Sequence, residues 1–381
     1  VDEAIERLQR IASLRRGVLA LGGGLPAPEL FPREALARAF DDALATPRCE
    51  ALQYGWPEGR SDLRAWIARR LRARGADVHA RDVVITAGAQ QAIAVACEAL
   101  LVRGARVGVD AETYPAALEL FRTRGATPVV ARDVAVRYVM PGIANPRGDA
   151  LSSDARAVIL ASSRAIIADE AYAELRFDGA RERPLLADAP ERVWHVGTFS
   201  KSLCPGFRVG WLVPPRAELA RVRRIKHDID LQANSLGQAV LAALLRRFDV
   251  DAHLARAAAL YRARAERFAR ALRASLPSFR FRDPEGGFSI FVETDAGGDD
   301  ARFLEIATAH GIGFDPGRIF RASQRSSPIA LRLCFSAVRD DLLDVAVERL
   351  ARAWRAFAAR RTHGDVGVRN AAGASSRRRH D

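Results

Sequence analysis

The sequence predicts an α/β protein: a mainly parallel sheet in a large domain, with a smaller α+β domain beside it. Three observations carry this. Short β-branched segments alternate with Ala-rich helical ones from Asp82 to Val213, the signature of a parallel sheet with crossover helices. The apolar fraction of 49% over 381 residues is ample for a core. A long amphipathic helix near His253 is then followed by separate strand-like and helical segments, as a second, smaller domain requires.

The elements follow in order. Phe31 to Leu44 reads as a helix with Pro32 and Glu34 in its first turn. The turn Tyr54-Gly55-Trp56-Pro57-Glu58-Gly59 comes next, and Ser61 is expected to cap a helix running to about Arg74. Asp82 to Thr86 is a strand, turned at Gly88 into a helix from Gln90 to Leu101. Arg106 to Val109 and Ala116 to Arg124 form the next strand and helix. Later strands are Arg137 to Met140, Ala165 to Asp169, Val193 to Thr198 and Val209 to Val213. His253 to Leu276 carries apolar residues at helical spacing, including Leu254, Tyr261, Phe268 and Leu272. Strands Gly287 to Glu293 and Ile329 to Phe335 follow, with helices Ala301 to His310 and Asp340 to Ala359. The polar, Gly/Ser/Arg-rich end is expected to be disordered.

The charge of +13 raises the question of nucleic acid. Lysine, however, occurs only at Lys201 and Lys226, and the arginines alternate with Glu, Asp and Ala along helical faces. That pattern describes solvated faces, so no nucleic-acid partner is expected. No apolar run approaches the length of about 18 residues that a membrane span needs, and the first residues lack a signal-peptide layout. Cys49, Cys97, Cys204 and Cys334 show no CxxC spacing. Neither a zinc site nor a disulfide framework is expected, and a reducing cytoplasm is. The dispersed histidines give no metal-ligand spacing.

Lys201 is the residue that most invites a chemical explanation. It follows an apolar strand within Gly197-Thr198-Phe199-Ser200-Lys201, where a cleft forms at strand ends. A lysine can form a Schiff base and an arginine cannot. Lys226, inside the Arg-rich helix Arg221 to Lys226, reads as an exposed helix residue. Asp169 ends a strand and precedes Tyr172 by three residues. Alone it is an ordinary turn residue; with Lys201 beyond the next strand, it is placed to pair with a cationic ring nitrogen. Gly88-Ala89-Gln90 opens a helix, and such N–H groups suit a phosphate. No GxGxxG or GxxxxGK[ST] motif occurs, so dinucleotide and P-loop functions lack support.

Together these motifs resemble the pyridoxal 5′-phosphate (PLP) dependent aminotransferases of classes I and II, with the aspartate-aminotransferase-like fold type I. The likeness spans roughly residues 15 to 360. Gly23-Gly24-Leu25-Pro26-Ala27-Pro28-Glu29-Leu30-Phe31-Pro32 is most similar to the 2-aminoadipate aminotransferase branch and to the aminotransferase-like half of MocR-type regulators. The resemblance implies a Schiff base of PLP on Lys201, with Asp169 on the ring nitrogen. It assigns Asn145 and Tyr172 to the ring hydroxyl and Tyr114 to stacking on the ring. Gly88, Ala89, Gln90, Thr198 and Arg208 fall to the phosphate. Tyr54, in Tyr54-Gly55-Trp56-Pro57-Glu58-Gly59, is implied to reach the phosphate of a partner subunit, which makes the active unit a homodimer. Arg332, with Asn145 and Gly24, is implied to hold the substrate α-carboxylate in a planar bidentate clamp. Lys201, Asp169 and Tyr172 are the implied catalytic residues.

The implied reaction moves the amino group of an α-amino acid to a 2-oxo acid, within amino-acid metabolism. Two alternatives stand beside it: another PLP reaction, such as that of a lyase, decarboxylase or racemase, and a non-catalytic effector module of the MocR kind. Residues 1-40 are expected to contribute to the small domain, 41-250 to form the large PLP domain, 251-360 the C-terminal small domain and 361-381 a disordered tail. Specificity is expected from Ala20 to Leu30 and Phe288 to Phe291, with Arg7 a candidate for an acidic side chain.

Two departures stand out. Only Ala131 to Arg137 separates the apolar Pro128-Val129-Val130 from Tyr138-Val139-Met140, too few residues for a parallel crossover of about a dozen. Either Val129-Val130 is no strand, or a βα unit is missing at the sheet edge. The span from Asn145 to Asp169 is also about one helical turn short. Cys204 is expected to be a small buried thiol.

Overall fold

The computed structural model describes residues 10, 15, 17–46, 50–323 and 328–375. Arg7 and Cys49 lie outside them. Among the described residues the strands form two sheets. In chain order they are β1 (Leu19–Leu21), β2 (Val84–Thr86), β3 (Arg106–Gly108), β4 (Thr127–Val129), β5 (Val134–Val139) and β6 (Ser163–Asp169). Then come β7 (Val193–Thr198), β8 (Gly210–Val213), β9 (Phe279–Arg280), β10 (Ser289–Gly297), β11 (Ile312–Pro316) and β12 (Pro328–Cys334).

The seven-stranded sheet has the order β2-β8-β7-β6-β5-β3-β4. Only β8 runs against its neighbours, while β7, β6, β5, β3 and β4 pair in parallel. Its strands are short and apolar because helices cover both faces. The helix Ala89–Leu100 buries Ala92, Ile93, Val95 and Ala96 in one core layer with Val107, Tyr138, Ile167 and Val196. The five-stranded sheet has the order β1-β11-β12-β10-β9. The helices Asp300–Ala309 and Leu343–Ser375 pack together beside it through Phe303, Trp354 and Phe357.

The short edge is built without a crossover helix. β4 and β5 lie on opposite sides of β3, so the chain between them passes over β3. Gly108 makes the room. A Cβ there would stand 2.9 Å from the Ala131 carbonyl oxygen and 2.7 Å from Val134 Cγ2. The turn is tied by Ala131 N–H to the Val129 carbonyl (3.0 Å) and by Arg137 Nη1 to the Ala131 carbonyl (3.0 Å). Thr127–Val129 is therefore a sheet strand, Val130 is not, and the missing unit is the helix between β4 and β5. Gly108→Val is expected to destabilise the protein by about 1–3 kcal/mol, the cost of overfilling a close approach. A lower urea midpoint at unchanged slope checks this. The second shortening is absorbed where the helix Ser153–Ser162 runs straight into β6.

Four expectations are corrected. Arg60, not Ser61, holds the N-cap position of the helix Ser61–Ala73, and no side chain caps it. Lys226 is fully buried, not exposed. Its ammonium pairs with Asp230 one turn on, and Asp230 also accepts from Gln91 Nε2 (2.7 Å), which offsets the burial of the charge. The backbone of Leu343–Ser375 stays helical through the first part of segment 361–381. Propagation from an existing helix fixes one residue per added hydrogen bond, and Ala and Arg are good helix formers. Cys204 is half-buried, a less enclosed thiol than expected.

Candidate active site

The parallel strands of the large sheet end at one rim, and a cavity of about 910 Å³ opens there. Asp169 closes β6, Thr198 closes β7 and Met140 follows β5. All three line the cavity together with Ala89, Gln90, Tyr114, Asn145, Tyr172, Lys201, Arg208 and Arg332. The site residues expected from the sequence thus meet in one place, with Gly24 and Gly88 adjoining its lining residues Gly23 and Ala89 and Tyr54 the exception. That side chain is 81% exposed on this chain's own surface and does not line the cavity.

Gly88 caps the helix Ala89–Leu100 at φ 81°, a conformation that costs glycine little. A Cβ there would lie 2.8 Å from Arg208 Nη2, so the residue keeps a hollow open between the helix N-terminus and that guanidinium. Ser200 completes the hollow: Arg208 Nη1 donates to its Oγ (3.5 Å), and Thr198 Oγ1 donates to the same atom (2.9 Å). Backbone N–H groups, a guanidinium and a hydroxyl around one hollow fit a phosphate. The role of Ser200 was missed from sequence, although it stands beside Lys201.

Asp169 is 5% exposed. Tyr138 OH donates to its Oδ2 (2.7 Å) and Ala171 N–H to its Oδ1 (3.1 Å). Burial pushes the Asp169 carboxyl up, against the pull of those two bonds. A buried carboxylate in that condition gains most from a cationic partner, which a protonated ring nitrogen is. Tyr138 was not foreseen. It sits on β5 next to β6, one residue before the pairing of Val139 with Ala168.

Lys201 Nζ donates to the Gly24 carbonyl (2.9 Å) and lies 5.4 Å from the Tyr172 ring centre. Burial first, then the Arg332 charge, lower its pKa to about 8. The sign is that of a lysine losing stability on folding. The penalty is in force below about pH 8 and fades as pH rises toward the ordinary 10.5. The free amine is the nucleophile. Attachment of a carbonyl cofactor to the apoprotein is therefore expected to speed up about tenfold per pH unit below pH 8 and to level off above it. Stopped-flow absorbance across that range checks this; a rate still climbing at pH 10 would show an unperturbed lysine.

Arg332 is buried on β12, and Asp315 faces it from β11 in direct register. Asp315 Oδ2 accepts from Nε (3.0 Å) and Nη2 (2.6 Å), while Asn145 Oδ1 accepts from Nη1 (2.8 Å). Burial works against the guanidinium charge, and Asp315 together with Cys334 and Tyr172 more than offsets it. Gly24 covers the far edge of the guanidinium. A Cβ there would stand 3.6 and 3.7 Å from its two Nη atoms and 3.4 Å from Tyr172 OH, in the space a carboxylate would take. Asp315 was not foreseen either, because nothing local in the sequence marks it.

The chain is similar to several known proteins. The family described as aminotransferase class I and II matches residues 139–350. The aromatic-amino-acid aminotransferase 1 of Thermococcus litoralis is 29% identical over 364 residues, 88% of this chain and 87% of that protein. The crystal structure of LysN, an alpha-aminoadipate aminotransferase of Thermus thermophilus complexed with N-(5′-phosphopyridoxyl)-L-leucine, superposes with a TM-score of 0.83 at 29% identity. That likeness covers 94% of this chain and 98% of that one. The regulator TauR of Rhodobacter capsulatus, of helix-turn-helix type, is 30% identical over 353 residues, 87% of this chain and 73% of that longer protein.

Proposed function

Since the chain belongs to the class I and II aminotransferases, with PLP as cofactor, we propose that the cavity at Lys201 is where it moves an amino group from an α-amino acid to a 2-oxo acid. The observation that carries this is the convergence of Lys201, Asp169 and Arg332 on one cavity. Anchor, ring partner and carboxylate clamp come from three separate stretches of chain.

Bound there, PLP supplies an electron-withdrawing ring that takes up negative charge from the substrate α-carbon. The protein's residues do the rest. Lys201 Nζ would anchor the cofactor and, as the free amine, would take a proton from the substrate α-carbon as base and give it back as acid. Its lowered pKa suits both roles near neutral pH. Asp169 keeps a proton on the ring nitrogen, held in place by Tyr138. Asn145 and Tyr172 would serve the ring hydroxyl, and Tyr114 would hold the ring. Gly88, Ala89, Gln90, Thr198, Ser200 and Arg208 hold the phosphate. Gly24, Asn145 and Arg332 orient the substrate carboxylate, which brings the α-carbon to Nζ. The test is conversion of the bound cofactor to its amine form by an amino acid alone, followed by absorbance. Release of ammonia or CO₂ instead would favour a lyase or a decarboxylase.

We also propose a homodimer with shared sites. Leu52, Tyr54, Trp56 and Leu231 are exposed large apolar side chains on segments joined by Gln232, whose Oε1 accepts from Gly55 N–H. Such a patch suits burial by a second copy, which would bring Tyr54 to the partner's phosphate. Mixing Tyr54→Ala and Lys201→Ala chains is expected to restore activity that each lacks alone, because one site of the mixed dimer is whole. No gain over the separate variants would argue against sharing. A cytoplasmic location is part of the same proposal. Cys97, Cys204 and Cys334 are unpaired, and no described helix is long and apolar enough to cross a membrane.

A further inference from the structure

Arg332 is not the only arginine at the cavity with a carboxylate beside it. Arg318 pairs with Asp299 and Asp300. Arg321 lies 3.8 Å from Glu112 and 3.7 Å from Glu293, and Arg122 lies 3.9 Å from Glu119. Arg208 is committed to the phosphate hollow. Among the described lining residues, each remaining arginine thus has a carboxylate within 4 Å, Glu112 and Glu293 being shared with Arg147. Ile319 and Phe320 line the same wall, and the Phe320 ring centre is 4.8 Å from Arg332 Cζ.

We propose that Asp315 is a specificity-determining residue: it makes the Arg332 clamp net neutral, so the enzyme takes monocarboxylic amino acids with uncharged side chains and rejects dicarboxylic ones. The inference rests on the aminotransferase function proposed above. The Asp315 carboxylate covers the Nε edge of the guanidinium and leaves the Nη edge beside Gly24 for the substrate. A single carboxylate can still make its hydrogen bonds there. A second one would enter a cavity that already carries the Asp315 charge and would find each nearby arginine matched.

Charge can be separated from geometry here. Oδ2 of Asp315 accepts from Arg332 Nε, Arg332 Nη2 and Gly23 N–H. The amide oxygen of an asparagine in that place would keep all three bonds and remove the charge. The experiment compares 3-phenylpropionate and maleate, binding to the holoenzyme at equilibrium by calorimetry. The wild type is expected to bind 3-phenylpropionate at least about tenfold more tightly than maleate. Asp315→Asn is expected to tighten maleate by about tenfold or more, the effect of removing one like charge from a poorly hydrated site. Asp315→Ser serves the same comparison if the asparagine variant does not fold. A wild type that prefers maleate, or a variant that binds maleate no better, would overturn the inference. The measurement needs no turnover, so it is read separately from amino-group transfer, whose absence with every amino acid would instead defeat the proposed function.

Discussion

Replacing Lys201 with alanine is expected to lower the rate of amino-group transfer by at least about four orders of magnitude, the upper range for a positioned general acid–base, with the covalent anchor lost as well. No other amine can substitute. The only other lysine, Lys226, is buried in its pair with Asp230. The fold should not suffer, because the ammonium of Lys201 is one that burial disfavours. Stopped-flow measurement of the amino-acid half-reaction, with a thermal melt beside it, checks both parts. The account expects a near-dead enzyme of unchanged or higher Tm. A variant that retained even a hundredth of the rate would move the chemistry away from this residue.

Asp169→Asn is expected to slow the same half-reaction by about a hundred- to a thousandfold, the usual cost of removing one preorganised electrostatic partner. The change keeps the shape of the side chain. Tyr138 OH can donate to the amide oxygen as it does to Oδ2, while Ala171 N–H, which donates to Oδ1, then faces the amide NH2 and loses its bond. What is lost is the negative charge that holds a proton on the ring nitrogen. Because burial already disfavours that charge, it is present for function and not for stability. The asparagine variant is therefore expected to be about as stable as the wild type in the cofactor-free form, relief of the buried charge offsetting the lost Ala171 bond. A variant of near-normal rate would show that the ring nitrogen needs no anionic partner here.

Much of this site is legible in the sequence because its parts are local. A strand end followed by a small-residue turn puts Lys201 at the rim. A glycine before an Ala-rich helix puts N–H groups of Ala89 and Gln90 in the cavity. The carboxylate of Asp169 needs only its place at the end of an apolar strand. Each of these follows from a few consecutive residues.

The parts that escaped depend on pairing between distant stretches. Asp315 matters because strand register sets it opposite Arg332, and Tyr138 because β5 lies beside β6. Gly108 is an unremarkable strand residue until the chain at Ala131 passes over it. Lys226 looked solvated because its helix is rich in arginine, yet Asp230 one turn on and Gln91 from another helix enclose its charge. For Asp315, Tyr138 and Gly108 the deciding partner lies on a different stretch of chain, which periodicity and local composition do not report; for Lys226 Asp230 shares the helix and only Gln91 comes from another.

The central claim is that Lys201 carries the cofactor, and the scarcity of lysine makes it directly testable. The apoprotein would be loaded with PLP, reduced with borohydride to fix any lysine-bound cofactor, digested and mapped by mass spectrometry. The account predicts one phosphopyridoxyl adduct, on the peptide containing Lys201, with Lys226 unmodified. An adduct on Lys226, or none on either lysine, would contradict it.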